Sequence, residues 1–183
     1  MYSPAEVARR YVETGKSKAA LPVGRMLLLG MLAGAFIALA GGSATFAVSY
    51  GGRLAGAAVF PAGLAMVLLA GSELFTGNCL LVIPLLERQL TWGRMLRSWG
   101  VVYLANVLGA GLVAALTVAA GTFDGVYESV VATAAAKAGL PFLTALLRGV
   151  LCNFLVCIAV WMSLAAQSVP GKLAAMYLPI FTF

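Results

Sequence analysis

Long apolar segments separated by short polar stretches run through this chain. Residues 26–50 and 98–123 contain no charged side chain, and about 20 apolar residues in an α-helix cross a bilayer core about 30 Å thick. The pattern therefore predicts a transmembrane helix in each segment. A further crossing is predicted over 140–167, where Arg148 interrupts the run, and the apolar stretch 173–183 predicts the start of a fifth.

Residues 54–86 need a different solution, because they are apolar throughout except at Glu73. A straight helix of this length would be about 50 Å long, too long for one crossing and too short for two crossings with a turn. We expect two half-helices, 54–72 and 77–86, joined by non-helical backbone at 73–76. Such backbone is tolerated at membrane depth only where it is buried in protein or lines a watery cavity. Glu73 and Gly77 are therefore expected to shape a functional break.

Composition and charge agree with an all-α, polytopic membrane protein with one membrane domain over residues 1–183. The mean hydropathy is +1.00, with 62% hydrophobic and 10% charged residues, outside the range of ordinary soluble domains. Segment 1–20 predicts an amphipathic helix at the cytoplasmic membrane interface. Most basic residues fall on the side of the N-terminus, against Arg53 and Lys137 on the other side, so the positive-inside rule predicts a cytoplasmic N-terminus. The net charge of +6 is then an orientation signal, and no nucleic-acid partner is expected.

Polar side chains within the apolar segments require partners that lipid cannot supply. Glu73 is expected either to accept N–H groups freed by the break or to pair with a basic residue. Arg148 is the obvious partner, although a long arginine near the interface can equally snorkel to water. Asn153 should face the bundle interior. Asn106 is interpreted more simply as a helix-packing contact.

No resident metal or cofactor is predicted. The chain contains no histidine and no CxxC pair, so the three cysteines, Cys79, Cys152 and Cys157, are expected to be small packing residues. A membrane subunit of an enzyme would be expected to carry paired histidines for haem or cysteine clusters. An enzymatic function is therefore not predicted. The tryptophans are expected at the lipid interface.

The break also suggests the charge of a passenger. A half-helix that starts near residues 76–77 would direct its free N–H groups and positive dipole end at the membrane middle, which favours an anion. Phe60 and Leu64 precede the break by a few turns, and Leu74 and Phe75 lie in it. These apolar side chains are either narrow gates of a pore or ordinary core residues.

Three motifs are similar to those of the formate/nitrite transporter family. They are "GSELFTGN" (71–78), "RMLRSWGVVYLANVLGA" (94–110) and "RGVLCNFLVCIAVWMS" (148–163), in the family's order and spacing. The resemblance implies a homopentamer of aquaporin-like protomers in a lipid bilayer. Each family protomer has its own pore and six crossings, of which the second and fifth are broken.

The resemblance also implies roles for individual residues. Thr76 matches the polar centre of the pore, and Lys137 and Asn153 match a lysine and an asparagine that draw or orient the anion. The positions that match the family's apolar constrictions are Phe60, Leu64, Leu74, Phe75 and Phe183. The implied function is a channel or transporter for small monovalent anions such as formate or nitrite in the cytoplasmic (inner) membrane of a bacterium or archaeon. A hydrosulfide channel and a non-transporting scaffold remain the alternatives.

One departure from the family pattern is serious. Family members carry a pore histidine a few residues after the position of Phe183, in the second break. This chain stops within the expected fifth crossing and contains no histidine. We therefore expect it to be a fragment of a longer protein.

Overall fold

A computed structural model describes residues 1–182, which contain helices and no strand. Phe183 lies outside the described residues. The α-helices are α1 (Pro4–Ala19), α2 (Val23–Val59), α3 (Pro61–Ala70), α4 (Phe75–Asn78), α5 (Val82–Leu86), α6 (Trp92–Ala119), α7 (Tyr127–Ala138), α8 (Phe142–Ala165) and α9 (Val169–Phe181), with 3₁₀ turns at Cys79–Leu81 and Asp124–Val126.

The predicted membrane crossings are present as apolar helices. Val23–Ala70, Trp92–Ala119 and Phe142–Ala165 are long and apolar enough to span a bilayer, and Phe75–Leu86 and Val169–Phe181 are shorter apolar helices. Two of them begin before the expected positions because polar side chains cap them: Thr91 precedes α6, and Ser168 precedes α9. Helix α7 was not predicted from the pattern, because its segment is short and rich in alanine.

The second crossing is broken, as the length argument required. Helix α2 kinks at Gly52, whose φ of 74° is one that glycine adopts readily. Helix α3 then ends at Gly71, in the left-handed conformation with φ 66°. The helix resumes at Phe75, so the break occupies residues 71–74, two residues earlier than expected.

Helices α2 and α6 pack closely along their length, and glycines permit it. A Cβ atom at Gly34 would overlap the carbonyl oxygen of Asn106, and one at Gly109 would overlap that of Met31. Small residues at such positions let helix backbones approach within a membrane. The close approach brings Asn106 of α6 beside both α2 and the break.

The amphipathic helix α1 is present where it was expected, and its place at the cytoplasmic membrane interface stays a prediction. Its apolar face, at Val7, Tyr11, Gly15 and Ala19, is buried and packs on α5 and the 3₁₀ turn before it. A Cβ at Gly15 would come within 2.9 Å of Pro84. Helix α5, at the end of the second half-helix, covers this face of α1.

The main hydrophobic cluster surrounds the break. It contains buried residues of α2, α3, α8 and α9, with Phe60 and Leu74 packed against it. The members with the lowest exposure are Ala33, Leu64, Val67, Ala159, Met176 and Ile180. The non-helical backbone is therefore enclosed by protein, as backbone at membrane depth requires.

Candidate functional site at the helix break

The backbone of the break is bonded by two neighbouring helices. The Glu73 N–H donates to the Leu29 carbonyl of α2 at 3.1 Å. The amide of Asn106, on α6, serves both sides of the break: its Oδ1 accepts from the Phe75 N–H at 2.9 Å, and its Nδ2 donates to the Glu73 carbonyl at 2.9 Å. The same nitrogen also reaches the Gly30 carbonyl at 2.8 Å.

The simple packing role expected for Asn106 is therefore incomplete. Its amide bonds the Phe75 N–H and the Glu73 carbonyl on the two sides of the break. An unpaired backbone group in an apolar interior is costly, so this asparagine stabilises the break together with the Leu29 carbonyl, which accepts from the Glu73 N–H. The signal available in the sequence was a lone amide in a segment otherwise free of strong polar groups.

Glu73 is buried and has an ionic partner, which is not Arg148. The Lys18 ammonium of α1 lies 2.9 Å from Glu73 Oε1 and 3.2 Å from Asn78 Oδ1. The Asn78 amide donates to Glu73 Oε2 at 2.8 Å, and its side chain is fully buried. Arg148 is exposed on α8 and forms no salt bridge within residues 1–182. Pairing was one of two alternatives left open for Arg148, and among residues 1–182 the cation beside Glu73 is instead Lys18 of α1.

Side chains donate to the carbonyl oxygens of α4, in addition to the backbone N–H of Cys79. Carbonyls at helix ends and 3₁₀ turns keep acceptor capacity that side chains can use. The donors are Cys79 Sγ to Phe75 O (3.4 Å), Cys157 Sγ to Thr76 O (3.3 Å), Tyr11 OH to Gly77 O (3.2 Å) and Trp99 Nε1 to Asn78 O (2.8 Å). Burial raises the pKa of the Tyr11 phenol well above its ordinary value, so the hydroxyl stays protonated and can donate.

Trp99 differs from the interfacial role expected of the tryptophans. Its indole N–H is used inside the protein at the end of α4. The Phe75 ring packs edge-on against Tyr103, with centroids 5.3 Å apart, and against Trp99 at 6.2 Å. Helix α6 therefore holds the start of the second half-helix by aromatic contact as well as by the Asn106 amide.

The Thr76 hydroxyl is the exception in this well-bonded region. Its Oγ1 is buried and, among the buried side-chain polar atoms of residues 1–182, it is the one without a hydrogen-bond partner. Asn153 lies near the Thr76 backbone, because the Cys157 sulfur that donates to the Thr76 carbonyl is also 3.8 Å from Asn153 Oδ1. The predicted pair Thr76 and Asn153 thus shares one neighbourhood, contributed by α4 and α8.

The other predicted pore residues divide into two groups. Leu64 is 2% exposed, and Phe60 and Leu74 pack against the same cluster; a closed gate and a core residue would both be buried in this way, so their gating role stays a prediction. Lys137 lies apart, exposed near the end of α7, where it lines a cavity of about 870 Å³ between α2, α6 and α7. The role predicted for Phe183 concerns a residue outside the described part of the chain.

Several residues that build the site were not singled out from the sequence. Lys18 and Tyr11 lie in segment 1–20, for which the sequence predicted only an amphipathic helix at the membrane interface. Asn78 lies inside the quoted motif 71–78, where its polarity could have attracted notice. Lys18 and Tyr11 gave no such signal, because α1 reaches the break only through tertiary packing.

Comparison with known proteins identifies the family. A model of the formate/nitrite transporter family matches residues 5–183. The uncharacterized transporter YrhG of Bacillus subtilis (strain 168) is 38% identical over 191 residues, covering 98% of this chain and 72% of its own length. A solved structure described as an FNT family ion channel has a TM-score of 0.83 at 25% identity, over 97% of this chain and 75% of that chain. A pentameric formate channel with formate bound has a TM-score of 0.73 at 28% identity, over 87% and 67%.

The chain belongs to the formate/nitrite transporter family. The resemblance of the three motifs is thereby confirmed, and so is the helical membrane fold with its broken second crossing. The matched proteins are described as transporters or channels, which agrees with the expectation that the chain is not an enzyme.

Proposed function

We propose that this protein carries small monovalent anions of weak acids, formate first among them, through a passage inside each protomer that runs past Thr76. The observation that carries the proposal is the Thr76 hydroxyl, buried at the helix break without a hydrogen-bond partner among residues 1–182. A buried hydroxyl normally has a partner. A passing anion would provide one, and the Asn153 amide beside it would supply a second donor.

The bonding of the break favours an anion over a cation. Free carbonyl oxygens would bind a cation, whereas hydroxyl and amide donors suit an anion. The four carbonyls of α4 already accept side-chain donors, so the break offers few acceptors to a metal cation. The passenger would exchange part of its hydration for the Thr76 and Asn153 donors.

The apolar residues around Thr76 would set the free-energy barrier that an anion crosses in the passage. In the proposed pore, the constrictions are formed by Phe60, Leu64, Leu74, Phe75 and Phe183. A bare anion is costly between apolar walls, so protonation before the constriction and passage as the neutral acid would lower the barrier. Small size and a weak-acid pKa are then the selected properties, and formate, nitrite and hydrosulfide share them.

The family supports a proposal for assembly and location. The structural neighbour with bound formate is described as pentameric, and we propose a homopentamer in the cytoplasmic (inner) membrane of a bacterium or archaeon. The basic residues of the N-terminal side favour a cytoplasmic α1. Lys137, on the opposite side, would raise the local anion concentration at the outer mouth.

Formate flux into proteoliposomes tests the function. We expect the reconstituted protein to move formate above protein-free vesicles and Thr76→Val to lower this flux about tenfold or more, because a hydrogen bond to a charged group contributes about 1.5–3 kcal/mol. Thr76→Ser keeps the hydroxyl and should retain most of the flux.

Thr117→Val is the matched control, since that threonine bonds carbonyls of its own helix. Size-exclusion chromatography checks that each variant assembles like the parent. Equal flux from vesicles with and without protein would overturn the proposed function. Equal flux from Thr76→Val and the parent would remove Thr76 from the passage.

A further inference from the structure

Two of the three cysteines meet at the helix break, although the sequence suggested only packing roles for them. Cys79 follows α4, and Cys157 lies on α8, 78 positions later in the sequence. Their sulfurs donate to the carbonyls of the adjacent residues Phe75 and Thr76, at 3.4 and 3.3 Å. The two thiols therefore lie against one turn of backbone at the start of the second half-helix.

The two sulfurs use the carbonyls of neighbouring residues. Cys157 Sγ also lies 3.8 Å from Asn153 Oδ1, its neighbour on α8. Two thiols that donate to the carbonyls of successive residues are close neighbours. A rotation about χ1 changes the direction of each sulfur among staggered positions, so the pair can be turned toward a common ligand.

The chemistry of this pair suits a soft metal ion. Thiolate sulfur selects soft ions such as Cu(I), and Ag(I) and Hg(II) share that preference and accept two ligands in a line. Within residues 1–182 no three His, Cys, Asp or Glu side chains are grouped so that they could hold a metal ion, so the two thiols are treated as a two-ligand site. Both thiols are partly exposed, which leaves them reachable.

We propose that Cys79 and Cys157 form a two-sulfur site for soft, thiophilic metal ions, and that an ion bound there closes the passage beside Thr76. Each thiol would release one proton to solvent as its sulfur binds the ion, so one Hg²⁺ displaces two protons. The bound ion would tie α8 to the second half-helix next to the Thr76 hydroxyl. Closure of the passage rests on the proposed function, whereas binding of the ion does not.

Cysteine protection tests the binding step on the unmodified protein. We expect one equivalent of HgCl₂, added to the protein in detergent, to protect Cys79 and Cys157 together from iodoacetamide in peptide mass spectrometry. Cys152 should remain alkylated. It is also partly exposed on α8, but it lies five residues before Cys157 and so about 140° around the helix. Protection of Cys152 instead, or of neither paired thiol, would overturn the site.

Serine variants test whether the two sulfurs act together. Cys79→Ser and Cys157→Ser should each lose bound mercury to excess glutathione at least tenfold more readily than the parent, because only one sulfur remains. Cys152→Ser should retain mercury like the parent. Equal retention by all three variants would show independent thiols and contradict a shared site. Size-exclusion profiles confirm that the variants are folded.

Formate flux tests closure of the passage. HgCl₂ should lower the formate flux at least tenfold in the parent and in Cys152→Ser. In the Cys79→Ser/Cys157→Ser double variant, the flux with HgCl₂ should nearly equal the flux without it. An undiminished flux in a parent that holds mercury at the paired thiols would overturn closure. If the parent carries no formate at all, the proposed function fails, and the protection pattern still decides whether the metal site exists.

Discussion

At the scale of single residues, the break depends on side chains that substitute for backbone. Asn106 is the clearest example, because one amide accepts from the Phe75 N–H and donates to the Glu73 carbonyl. No ordinary apolar side chain can make both bonds. The same residue lies where α2 and α6 approach most closely, so it connects the packing of two crossings to the geometry of the site.

Asn106→Leu should therefore strongly destabilise the protein. The substitution leaves the Phe75 N–H and the Glu73 carbonyl without their partner, and each unsatisfied buried group costs about 1–3 kcal/mol. We expect the free energy of unfolding in detergent micelles to fall by about 2–6 kcal/mol. Thr117→Val, which removes a hydroxyl bonded within its own helix, should change it by about 0.5 kcal/mol or less. Similar losses for both variants would contradict the role of Asn106.

At the scale of elements, α1 is a support for the second half-helix. It reaches the break through Lys18 and Tyr11, and its apolar face packs on α5. A capping box between Ser3 and Glu6 starts the helix, and these hydrogen bonds hold the pKa of Glu6 below its usual value. Helix α1, whose composition suggests a surface helix, thus supports the site through these contacts.

The docking of α1 predicts unequal effects for two nearby lysines. Lys18→Met leaves the carboxylate of Glu73, 5% exposed, without its ionic partner. Breaking a buried pair costs about 3–5 kcal/mol, and we expect the lower end because the Lys18 side chain keeps 25% exposure. Lys16→Met breaks the exposed pair with Glu13 and should change the free energy of unfolding by about 0.5 kcal/mol or less. Chemical denaturation of both variants measures the difference, and equal values would contradict the docking.

Two glycines of α6 test the contact between crossings. Gly109→Ala places a methyl group against the Met31 carbonyl, and such overpacking costs about 1–3 kcal/mol. Gly111 has no neighbouring atom within 4 Å of an added Cβ, and Gly111→Ala should be neutral or stabilising because alanine favours helix by up to about 1 kcal/mol. Thermal unfolding midpoints should separate the two variants. A loss of stability in Gly111→Ala as large as in Gly109→Ala would show that the Met31 contact is not the cause.

At the scale of the whole molecule, exposed apolar side chains and charged residues determine the contacts with lipid, water and neighbouring protomers. A stripe on α6, at intervals of four residues, is between 53% and 61% exposed: Leu104, Leu108, Leu112 and Leu116. Four-residue spacing keeps these side chains on one helix face, where they can contact lipid or a neighbouring protomer. The basic residues, in contrast, are predicted to lie mainly on the side of α1.

Lys137 should act through the long-range field of the molecule. We expect Lys137→Ala to lower formate flux about fivefold at low ionic strength, corresponding to about 1 kcal/mol of lost attraction. The effect should shrink in high salt, because the screening length falls from about 10 Å at 0.1 M to about 3 Å at 1 M. Arg53→Ala is the matched control for a basic residue proposed to lie on the same side, and it should change flux less. An effect of Lys137→Ala that is independent of salt would contradict electrostatic attraction.

The apolar pattern by itself determined the membrane crossings and the need for a break, because bilayer thickness limits how many apolar residues one helix can use. It also located Glu73 and Asn153 as polar positions that lipid could not satisfy, whereas Thr76 was singled out by the resemblance to the family. Only the tertiary structure decided which groups satisfy the break, since Lys18 and Asn106 lie 55 and 33 positions from Glu73 in the sequence. Hydrogen bonds and ion pairs depend on distances of about 3 Å, and periodicity along one helix carries no information about which distant side chain comes that close.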